Sequence, residues 1–393
     1  MMGNAIISRR GGGDYATIKF ENYGSLEHTT PSVLSEGRNS LVAASTGNYA
    51  VFAGGMNASD SAVVDAYNAN LTHSTPTALS LARTSLGSTN VGNYALFAGG
   101  SPAGYVGNVD AYSTNLTHST TSDLSVRRSQ LAGASVGNYA VFVGGYDDEV
   151  ACDAVDAYSS SLSRSTPASL SVGRRQLAGA SVGDYVLFAG GSYVVYGSYS
   201  QAVDAYNTSL ARSTPAALNV GRYDLVGLSI GSYALFAAGE EGSGQRRDTV
   251  EVYNSNLTRS TAMNLSEARS SLAGASTDSY AFFAGGVRSS TVDVYDINLT
   301  RSTAASLKEA KNALAGTNLE DYAIFAGGYC VSTASRPTTV DLYANGKFEF
   351  TVFNDSKYKF QNMSSEVTVN SNMVTVSIPQ PATGYIKVKN TTI

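Results

Sequence analysis

Apolar residues occur along this chain in short blocks rather than at helical spacing. A representative block is Tyr-Ala-Val-Phe-Ala-Gly-Gly at positions 49–55, where apolar residues occupy both alternating sets of positions. A short, continuously apolar run that ends in glycine is typical of a β-strand buried on both faces. Polar, turn-forming residues separate such blocks, so the pattern predicts an all-β chain of many short strands.

The blocks repeat at nearly constant spacing. A Gly-Gly pair, replaced once by Ala-Gly, ends each block, and successive pairs are 45, 45, 46, 48, 47 and 42 residues apart. Each pair is preceded by a tyrosine five residues earlier and by a basic residue sixteen residues earlier, and a leucine follows the basic residue by three. The basic residues are Arg38, Arg83, Arg128, Arg174, Arg222, Arg269 and Lys311.

Each unit contains four predicted strands, which we name a to d. Examples are Leu131 to Ser135 for strand a, Tyr49 to Gly55 for strand b, Val64 to Tyr67 for strand c and His73 to Leu79 for strand d. A repeat of about 46 residues with four strands is the signature of a propeller blade. The sequence therefore predicts a seven-bladed β-propeller of antiparallel four-stranded blades over residues 26–343.

The residue types of the strands suit this geometry. Strand a carries Ala, Gly and Ser, as expected where innermost strands crowd around an axis. The paired glycines predict a sharp bend with positive φ. Strand d carries Pro and polar residues, which protect an outer edge from pairing with another sheet.

The Gly-Gly that ends strand b, the Tyr that ends strand c and the short turn into strand d resemble the kelch repeat. The resemblance recurs seven times between residues 26 and 343. It implies that the face carrying the b–c and d–a loops binds the partner. One departure is consistent: the position where kelch repeats carry Trp holds His73, His118, Arg164, Arg212, Arg259 and Arg301.

The two chain ends are predicted to share one blade. The segment from Leu26 to Pro31 matches the segment from Leu71 to Pro76, so the N-terminus supplies a strand d to the blade whose other strands lie between Leu314 and Tyr343. Because residues 20–23 also resemble strand c, a two-plus-two closure stays open. Residues 1–25 form an N-terminal extension, and residues 344–393 are predicted to form a small β appendage that packs with residues 15–23.

Composition excludes several classes of function. The net charge is −5 without a basic run, which argues against nucleic-acid binding. No apolar stretch approaches the roughly 20 residues of a membrane span, and no secretory signal is recognised. We therefore expect a cytoplasmic or virion-associated protein without membrane insertion. The two cysteines, Cys152 and Cys330, predict no disulfide scaffold.

No catalytic constellation, cofactor or metal site is predicted. The three histidines, His28, His73 and His118, share one repeat position on outer strands, so they cannot converge as they do in copper oxidases of the galactose oxidase type. An acidic residue also recurs two positions before each strand-c tyrosine, and we interpret it as pairing with backbone or with a repeated Arg between blades. These positions are Asp65, Asp110, Asp156, Asp204, Glu251, Asp293 and Asp341.

The ring of basic residues has two interpretations. It lies at the start of strand a, close to the axis, on the face of the b–c loops. Structural pairing is one interpretation, and contact with an anionic or polyhydroxy ligand at the channel mouth is the other. The ligand-binding candidates in this ring are Arg38, Arg83, Arg128, Arg174, Arg222 and Arg269.

The b–c loops break the repeat and are the predicted recognition surface. The loop at residues 192–200 places three tyrosines, Tyr193, Tyr196 and Tyr199, in a Ser/Gly setting that resembles an adaptable paratope and suits stacking on sugars. Neighbouring loops contribute the candidates Tyr146, Tyr329 and Arg246.

These features predict a non-enzymatic module that recognises a protein or a glycan. An alternative is a carbohydrate-active enzyme, mutarotase- or lyase-like, with a site at the axial channel mouth. A third is an assembly protein whose appendage, residues 344–393, docks to a larger particle. The repeat style is similar to that of kelch-like proteins of Gram-positive bacteria and their prophages, some of them tail or fibre components.

Overall fold

The structure is a computed structural model. It describes residues 26–344 except 103, 149 and 194–197, together with the backbone of residues 6–8, 15–23, 347–353, 358–361, 367–370, 373–379 and 382–390. Seven antiparallel four-stranded sheets form a ring, so the chain is a seven-bladed β-propeller, as the repeat predicts.

Strands a and b of each blade form its inner half. Strand a spans Val42–Ser45, Gly87–Val91, Ala132–Val136, Ala178–Val182, Val226–Ile230, Ala273–Ser276 and Ala315–Leu319 in blades 1 to 7. Strand b spans Tyr49–Ala53, Tyr94–Ala98, Tyr139–Val143, Tyr185–Ala189, Tyr233–Ala237, Tyr280–Ala284 and Tyr322–Ala326.

Strands c and d form the outer half. Strand c spans Val64–Asn68, Val109–Ser113, Val155–Ser159, Val203–Asn207, Val250–Asn254, Val292–Asp296 and Val340–Ala344. Strand d spans His73–Ser74, His118–Thr120, Arg164–Ser165, Arg212–Ser213, Arg259–Thr261 and Arg301–Thr303 in blades 1 to 6, and Glu27–Thr29 in blade 7.

Two b–c loops carry short hairpins of their own. In blade 3, Tyr146–Asp147 pairs with Val150–Ala151. In blade 5, Glu240–Glu241 pairs with Gln245–Arg246 around a 3-10 turn at Gly242–Gly244. Because neighbouring strands run antiparallel, these loops and the d–a segments lie at one end of the ring. We name this end the b–c face, and the end with the a–b and c–d turns the c–d face.

The hydrophobic core lies between neighbouring blades. One cluster joins Val141 and Val143 of blade 3 to Val186 and Phe188 of blade 4, all of them buried. A strand b that faces a blade on either side must be apolar on both faces, which explains its unbroken apolar run. Removal of these side chains from water is the main stabilising contribution of the repeat.

Strand a carries small residues because its neighbours are close. A Cβ built on Gly133 of blade 3 would lie 2.5 Å from the carbonyl oxygen of Ser88 in strand a of blade 2. At such a distance only glycine avoids a clash with backbone. The predicted crowding around the axis is therefore present at this position.

The paired glycines link each blade to the next. The amide of Gly55 donates to the carbonyl of Arg83, and a Cβ on Gly55 would lie 2.7 Å from the carbonyl oxygen of Asn39. The second glycine of every pair makes the same bond, at 2.8–3.0 Å, and Gly328 closes the circle by donating to Arg38. A residue with positive φ and no side chain is required where two backbones meet so closely.

The seventh blade is shared three strands to one. Strand d at Glu27–Thr29 lies beside strand c at Val340–Ala344 in a sheet with the other two strands of blade 7. Tyr15–Tyr23, which contains the second candidate for a strand c, pairs instead with Ala382–Asn390. The two-plus-two closure is therefore not adopted.

The chain divides into two compact units, residues 28–342 and residues 1–27 with 343–393. In the second unit, Ile6–Ser8, Tyr15–Tyr23, Ala382–Asn390 and Tyr358–Gln361 form one antiparallel sheet. The strands Lys347–Phe353, Met373–Pro379 and Val367–Asn370 form another.

Candidate functional site

A buried ion pair connects strand c to the segment before strand a in every blade. In blade 2, Nη2 of Arg83 lies 2.6 Å from Oδ2 of Asp110 and also donates to the carbonyl of Phe97. Equivalent pairs are Arg38–Asp65, Arg128–Asp156, Arg174–Asp204, Arg222–Glu251, Arg269–Asp293 and Lys311–Asp341. The repeated acid thus pairs with the basic residue of its own blade and not with one from another blade. It also accepts the expected backbone hydrogen bond, as from the amide of Ser80 to Asp110.

Because of this pairing, the repeated basic residues are not available to a ligand. The six arginine side chains are 0–1% exposed, and each has a carboxylate partner. A buried guanidinium needs such a partner because the loss of hydration is otherwise uncompensated. The arginines predicted as possible ligand contacts are therefore enclosed within the blades, where they hold strands together. They are Arg38, Arg83, Arg128, Arg174, Arg222 and Arg269.

The same carboxylates also bind the outer strand. His73 Nε2 lies 2.6 Å from Asp65, and Nη1 of Arg164 lies 3.0 Å from Asp156. The strand-d position that holds His or Arg along the repeats thus supplies a polar group to a buried carboxylate. Blade 5 differs, since Arg259 donates to the carbonyl of Ala217 instead.

The tyrosine-rich loop of blade 4 contributes two described side chains. Tyr199 stacks on Tyr223 of the next blade, with ring centroids 5.1 Å apart and planes 16° apart. The hydroxyl group of Tyr193 hydrogen-bonds to that of the buried Ser200. Tyr196, the third predicted contact, lies outside the described residues.

A cavity of about 540 Å³ opens beside these tyrosines. Tyr193 and Tyr199 line it together with Gln201, Glu241 and Gln245. It lies between the b–c loops of blades 4 and 5, the most irregular part of the repeat. Its volume falls within the usual range for small-molecule sites, roughly 300 to 1,000 Å³.

Glu240 organises the blade 5 side of this region. Its Oε1 accepts a 2.8 Å hydrogen bond from the hydroxyl of Tyr223, and its Oε2 accepts one from Ser270. Burial and the hydrogen bond to Glu240 raise the pKa of Tyr223 above its ordinary value. The predicted contact Arg246 lies 3.9 Å from Glu240, so its charge is partly matched.

A second aromatic group lies on blades 2 and 3. Tyr105 packs edge-on against Tyr146, with ring centroids 5.6 Å apart. The guanidinium carbon of Arg175, from blade 4, lies 4.6 Å from the centre of the Tyr146 ring, which is cation–π geometry. We name Tyr105, Tyr146, Tyr199 and Tyr223 the aromatic sector. Tyr329, the remaining tyrosine candidate, lies on blade 7 against Arg336 and apart from this sector.

A further cavity opens where the axis meets the b–c face. We name this cavity, of about 410 Å³, the axial basin. Its polar rim comes from the residue two positions after each repeated basic residue, which has φ between 48° and 57° in every blade. These rim residues are Ser40, Ser85, Gln130, Gln176, Asp224, Ser271 and Ala313.

The rim residues are not among the contacts predicted from the sequence. The sequence nevertheless carries a sign that this position differs in role from its neighbours. It lies between the repeated basic residue and the repeated leucine, yet it varies among Ser, Gln, Asp and Ala along the repeats. All seven positions have left-handed backbone, which is uncommon for residues other than glycine and here belongs to the repeat itself. The leucines of the repeat lie beneath the rim.

Other candidate chemistry finds no support among the described residues. Both cysteines are free and buried. No group of three His, Cys, Asp or Glu side chains in the described part of the chain is placed to hold a metal ion. No helix within it is long and apolar enough to cross a membrane.

No protein-family profile matches the sequence, and no curated protein resembles it significantly. The fold and the site geometry therefore define the class of the protein, a seven-bladed β-propeller.

Proposed function

We propose that this chain is a non-enzymatic recognition module that binds a protein or a glycan through its b–c face. The β-propeller is commonly a protein-interaction scaffold. The aromatic sector is the observation that carries the proposal, because it places four tyrosines of blades 2 to 5 at one end of the ring.

Tyrosine supplies a large, rigid, amphipathic contact area at low cost in conformational entropy. Here Tyr199 and Tyr146 are already fixed, the first by stacking on Tyr223 and the second by Tyr105 and Arg175. Side chains that are ordered before binding lose less entropy when a partner arrives. A rigid propeller with loop-borne aromatics is therefore suited to recognition.

The opposite face offers less to discriminate with. Its c–d turns repeat one motif, in which a leucine with positive φ, such as Leu116 or Leu257, packs back on the blade core. Similar turns in six blades present similar surfaces. Specific recognition is favoured where the blades differ, which is at the b–c loops.

The alternative is a carbohydrate-active enzyme at the axial mouth. Among the described residues that line the axial basin, Asp224 is the one titratable group. General acid–base chemistry on a sugar uses two such groups in reach of the substrate. Binding without turnover is the function that this lining supports better.

Finer assignments belong to the same proposal. The glycine pair, the strand-c tyrosine and the strand-d turn support membership of the kelch-type propellers. The sequence style supports an origin in bacteria or their prophages, as a tail, fibre or cell-surface component. In that setting the strands at residues 347–390 would supply the docking surface for a larger particle.

A face-blocking experiment tests the proposal. Single cysteines are introduced at Asn57 in a b–c loop and at Asn115 in a c–d turn, both exposed, while the two native cysteines are buried. Each variant is biotinylated and loaded with streptavidin. Binding to a glycan array and to a displayed peptide library is then compared with that of the unloaded protein.

We expect streptavidin at Asn57→Cys to abolish binding and streptavidin at Asn115→Cys to leave it intact. The reverse pattern would place recognition on the c–d face and contradict the proposal. Conversion of an array glycan to a new product by the unmodified protein would favour the enzyme instead.

A further inference from the structure

The axial basin carries charge on one side only. Blades 1, 2, 6 and 7 contribute Ser or Ala to its rim, whereas blades 3, 4 and 5 contribute Gln130, Gln176 and Asp224. Among the described residues that line the basin, Asp224 is the one with an ionisable side chain. The charge at this site is therefore negative, and a cationic group is the ligand that it favours.

Hydrogen bonds orient the half-buried Asp224 carboxylate and leave acceptor capacity on both of its oxygens. Nε2 of Gln176 donates to Oδ1 at 3.0 Å, and the hydroxyl of Ser271 donates to Oδ2 at 3.2 Å. The hydroxyl of Ser192 in turn donates to Oε1 of Gln176, which orients the Gln176 amide. Because a carboxylate has about four lone-pair positions, each oxygen of Asp224 can accept a further donor.

Asp224 lacks the cation that the repeated acids have. Each of those acids lies 2.5–2.9 Å from the basic residue of its own blade. Within the described part of the chain, no basic side chain lies within 4.0 Å of the Asp224 carboxylate, and Arg175 is held over the ring of Tyr146 instead. Burial accordingly raises the pKa of Asp224 above its ordinary value, against hydrogen bonds from Ser271 and Gln176. A cation at the carboxylate would favour the charged form and reverse this shift.

We propose that the axial basin receives an arginine side chain of a partner protein, whose guanidinium pairs with Asp224 and whose aliphatic stem packs on the leucines beneath the rim. A guanidinium is planar and presents two parallel N–H donors, which match one free acceptor position on each carboxylate oxygen. The leucines that line the basin, among them Leu177 and Leu225, offer the apolar surface on which an arginine stem is buried readily. This proposal rests on the proposed function, because it names the group by which a protein partner is held on the b–c face.

A protein is the source of the cation that this position favours. Asp224 directly follows Tyr223, whose ring stacks on Tyr199 in the aromatic sector. A polypeptide that packs on these tyrosines has the basin beside it, and arginine with tyrosine is typical of interface hot spots. A cationic sugar is the alternative source, but its ammonium is a point charge without the paired donors of a guanidinium. The basin volume of about 410 Å³ lies near the lower end of the range for small-molecule sites, which suits one inserted side chain.

Titration of the full chain with three small probes tests the proposal. The peptide N-acetyl-glycyl-arginyl-glycinamide carries the guanidinium, and its citrulline analogue replaces the guanidinium with a neutral group of nearly the same shape. D-glucosamine is the cationic sugar. We expect the arginine peptide to bind at least about tenfold more tightly than either other probe, by ligand-observed NMR or calorimetry.

Three variants locate the binding. Asp224→Asn removes the charge and keeps the shape, and we expect it to reduce the preference for arginine over citrulline to within about twofold. Asp224→Ser is expected to do the same, and the repeat itself carries serine at this left-handed position in blades 1, 2 and 6. Asp148→Asn is the matched control, because Asp148 is an exposed acid on the same face that pairs with Arg127, and its loss is expected to change nothing.

Four results would overturn the proposal. They are equal binding of the citrulline peptide, no binding of the arginine peptide, glucosamine binding at least as tight as that of the arginine peptide, and arginine-peptide binding that survives either Asp224 variant. These outcomes are separate from the face-blocking result. A partner captured on the b–c face whose affinity is unchanged in Asp224→Asn would refute the basin assignment alone. Arginine-peptide binding that requires Asp224, together with partner recognition on the c–d face, would refute the proposed function alone.

Discussion

Nε2 of His28 lies 3.0 Å from Oδ1 of Asp341, although 313 residues separate them along the chain. The contact reproduces His73 with Asp65 and His118 with Asp110 inside blades built from continuous chain. The closing strand therefore enters blade 7 through the same side-chain contact that the repeat uses elsewhere. The ends of the ring are joined by a long-range copy of a local interaction.

Loss of the His28 contact is expected to destabilise the ring. His28→Ala removes a hydrogen bond to a buried carboxylate, and we expect a loss of about 1 to 2 kcal/mol in the free energy of unfolding. The measurement is equilibrium urea unfolding, with His73→Ala as the matched variant in a continuous blade. Equal stability of His28→Ala and the parent protein would show that the contact does not contribute to closure.

Breaking one buried ion pair is expected to cost far more than breaking an exposed one. Arg83→Leu leaves Asp110 buried without its cation, and we expect a loss of about 3 to 5 kcal/mol. Arg83→Leu with Asp110→Leu is expected to recover much of it, because no charge then remains buried. Chemical unfolding of the two variants and the parent gives the comparison.

Arg127→Leu is the control for this experiment. Arg127 lies 2.6 Å from Asp148, but the two side chains are 63% and 54% exposed. Exposed ion pairs contribute about 0 to 1 kcal/mol because water screens the charges. A loss for Arg83→Leu as small as that for Arg127→Leu would contradict a structural role for the repeated pairs.

The buried acids predict a loss of stability in acid. Burial alone would raise the pKa of Asp110, but Arg83 and hydrogen bonds from His118 and Ser80 hold the pKa below its usual value. The pKa values of Asp65 and Asp341 are lowered in the same way. As the pH falls, these acids are protonated in the unfolded chain before they are protonated in the folded one. The stability that the charged acids contribute is therefore complete above their unfolded pKa of about 3.9 and is lost as the pH falls through their lower pKa values in the folded protein.

Unfolding free energies measured between about pH 6 and pH 3 check this expectation. Stability is expected to decline as the pH falls below about 3.9, the pKa of the acids in the unfolded chain. Asp110→Asn should be less stable at neutral pH and less sensitive to acid, whereas Asp148→Asn, at an exposed position, should follow the parent curve. A flat stability profile in the parent protein is incompatible with charged carboxylates inside the blades.

Exchanges between glycine and alanine at the first position of the glycine pair are expected to have opposite effects on stability in two blades. A Cβ on Gly99 would lie 2.4 Å from the carbonyl oxygen of Arg128, so Gly99→Ala is expected to cost about 2 to 3 kcal/mol. Blade 5 already carries Ala238 there, with φ of 62°. Ala238→Gly is expected to stabilise by about 0.5 to 1 kcal/mol, because left-handed backbone is strained for alanine. Thermal unfolding of both variants measures the two effects on stability. A Gly99→Ala variant that is more stable than the parent protein would contradict the prediction.

The scaffold was predictable because its physics is local and repeated. Gly54-Gly55, Tyr49 and Arg38 recur in fixed phase, and a fixed phase indicates one backbone geometry. The sharing of blade 7 between the two chain ends could also be predicted, because the segment that begins at Leu26 matches the segment that begins at Leu71. The partner of each buried acid was less accessible, since Asp65 and Arg38 lie 27 positions apart and only the fold shows that they meet within one blade.

The site was less predictable because it depends on contacts between blades. Tyr199 was recognisable from its loop composition, but its stacking on Tyr223 joins two repeats whose relative position no spacing gives. Arg175 resembles the repeated Arg174 in sequence, yet the structure buries one in an ion pair and leaves the other over Tyr146. The variation between repeats at the position of Asp224 was visible in the sequence, but only the structure shows that this position lines the axis.

Affinity measured for a matched pair of surface variants tests the central claim that the residues breaking the repeat carry recognition. The ligand is the strongest one selected on the array or peptide library. Tyr199→Ala and Tyr146→Ala, in the aromatic sector, are compared with Ile297→Ala, an exposed apolar residue in a c–d turn. We predict at least about a tenfold loss of affinity for each tyrosine variant and less than about a twofold change for Ile297→Ala. Unchanged affinity in both tyrosine variants, or a loss confined to Ile297→Ala, would contradict the account.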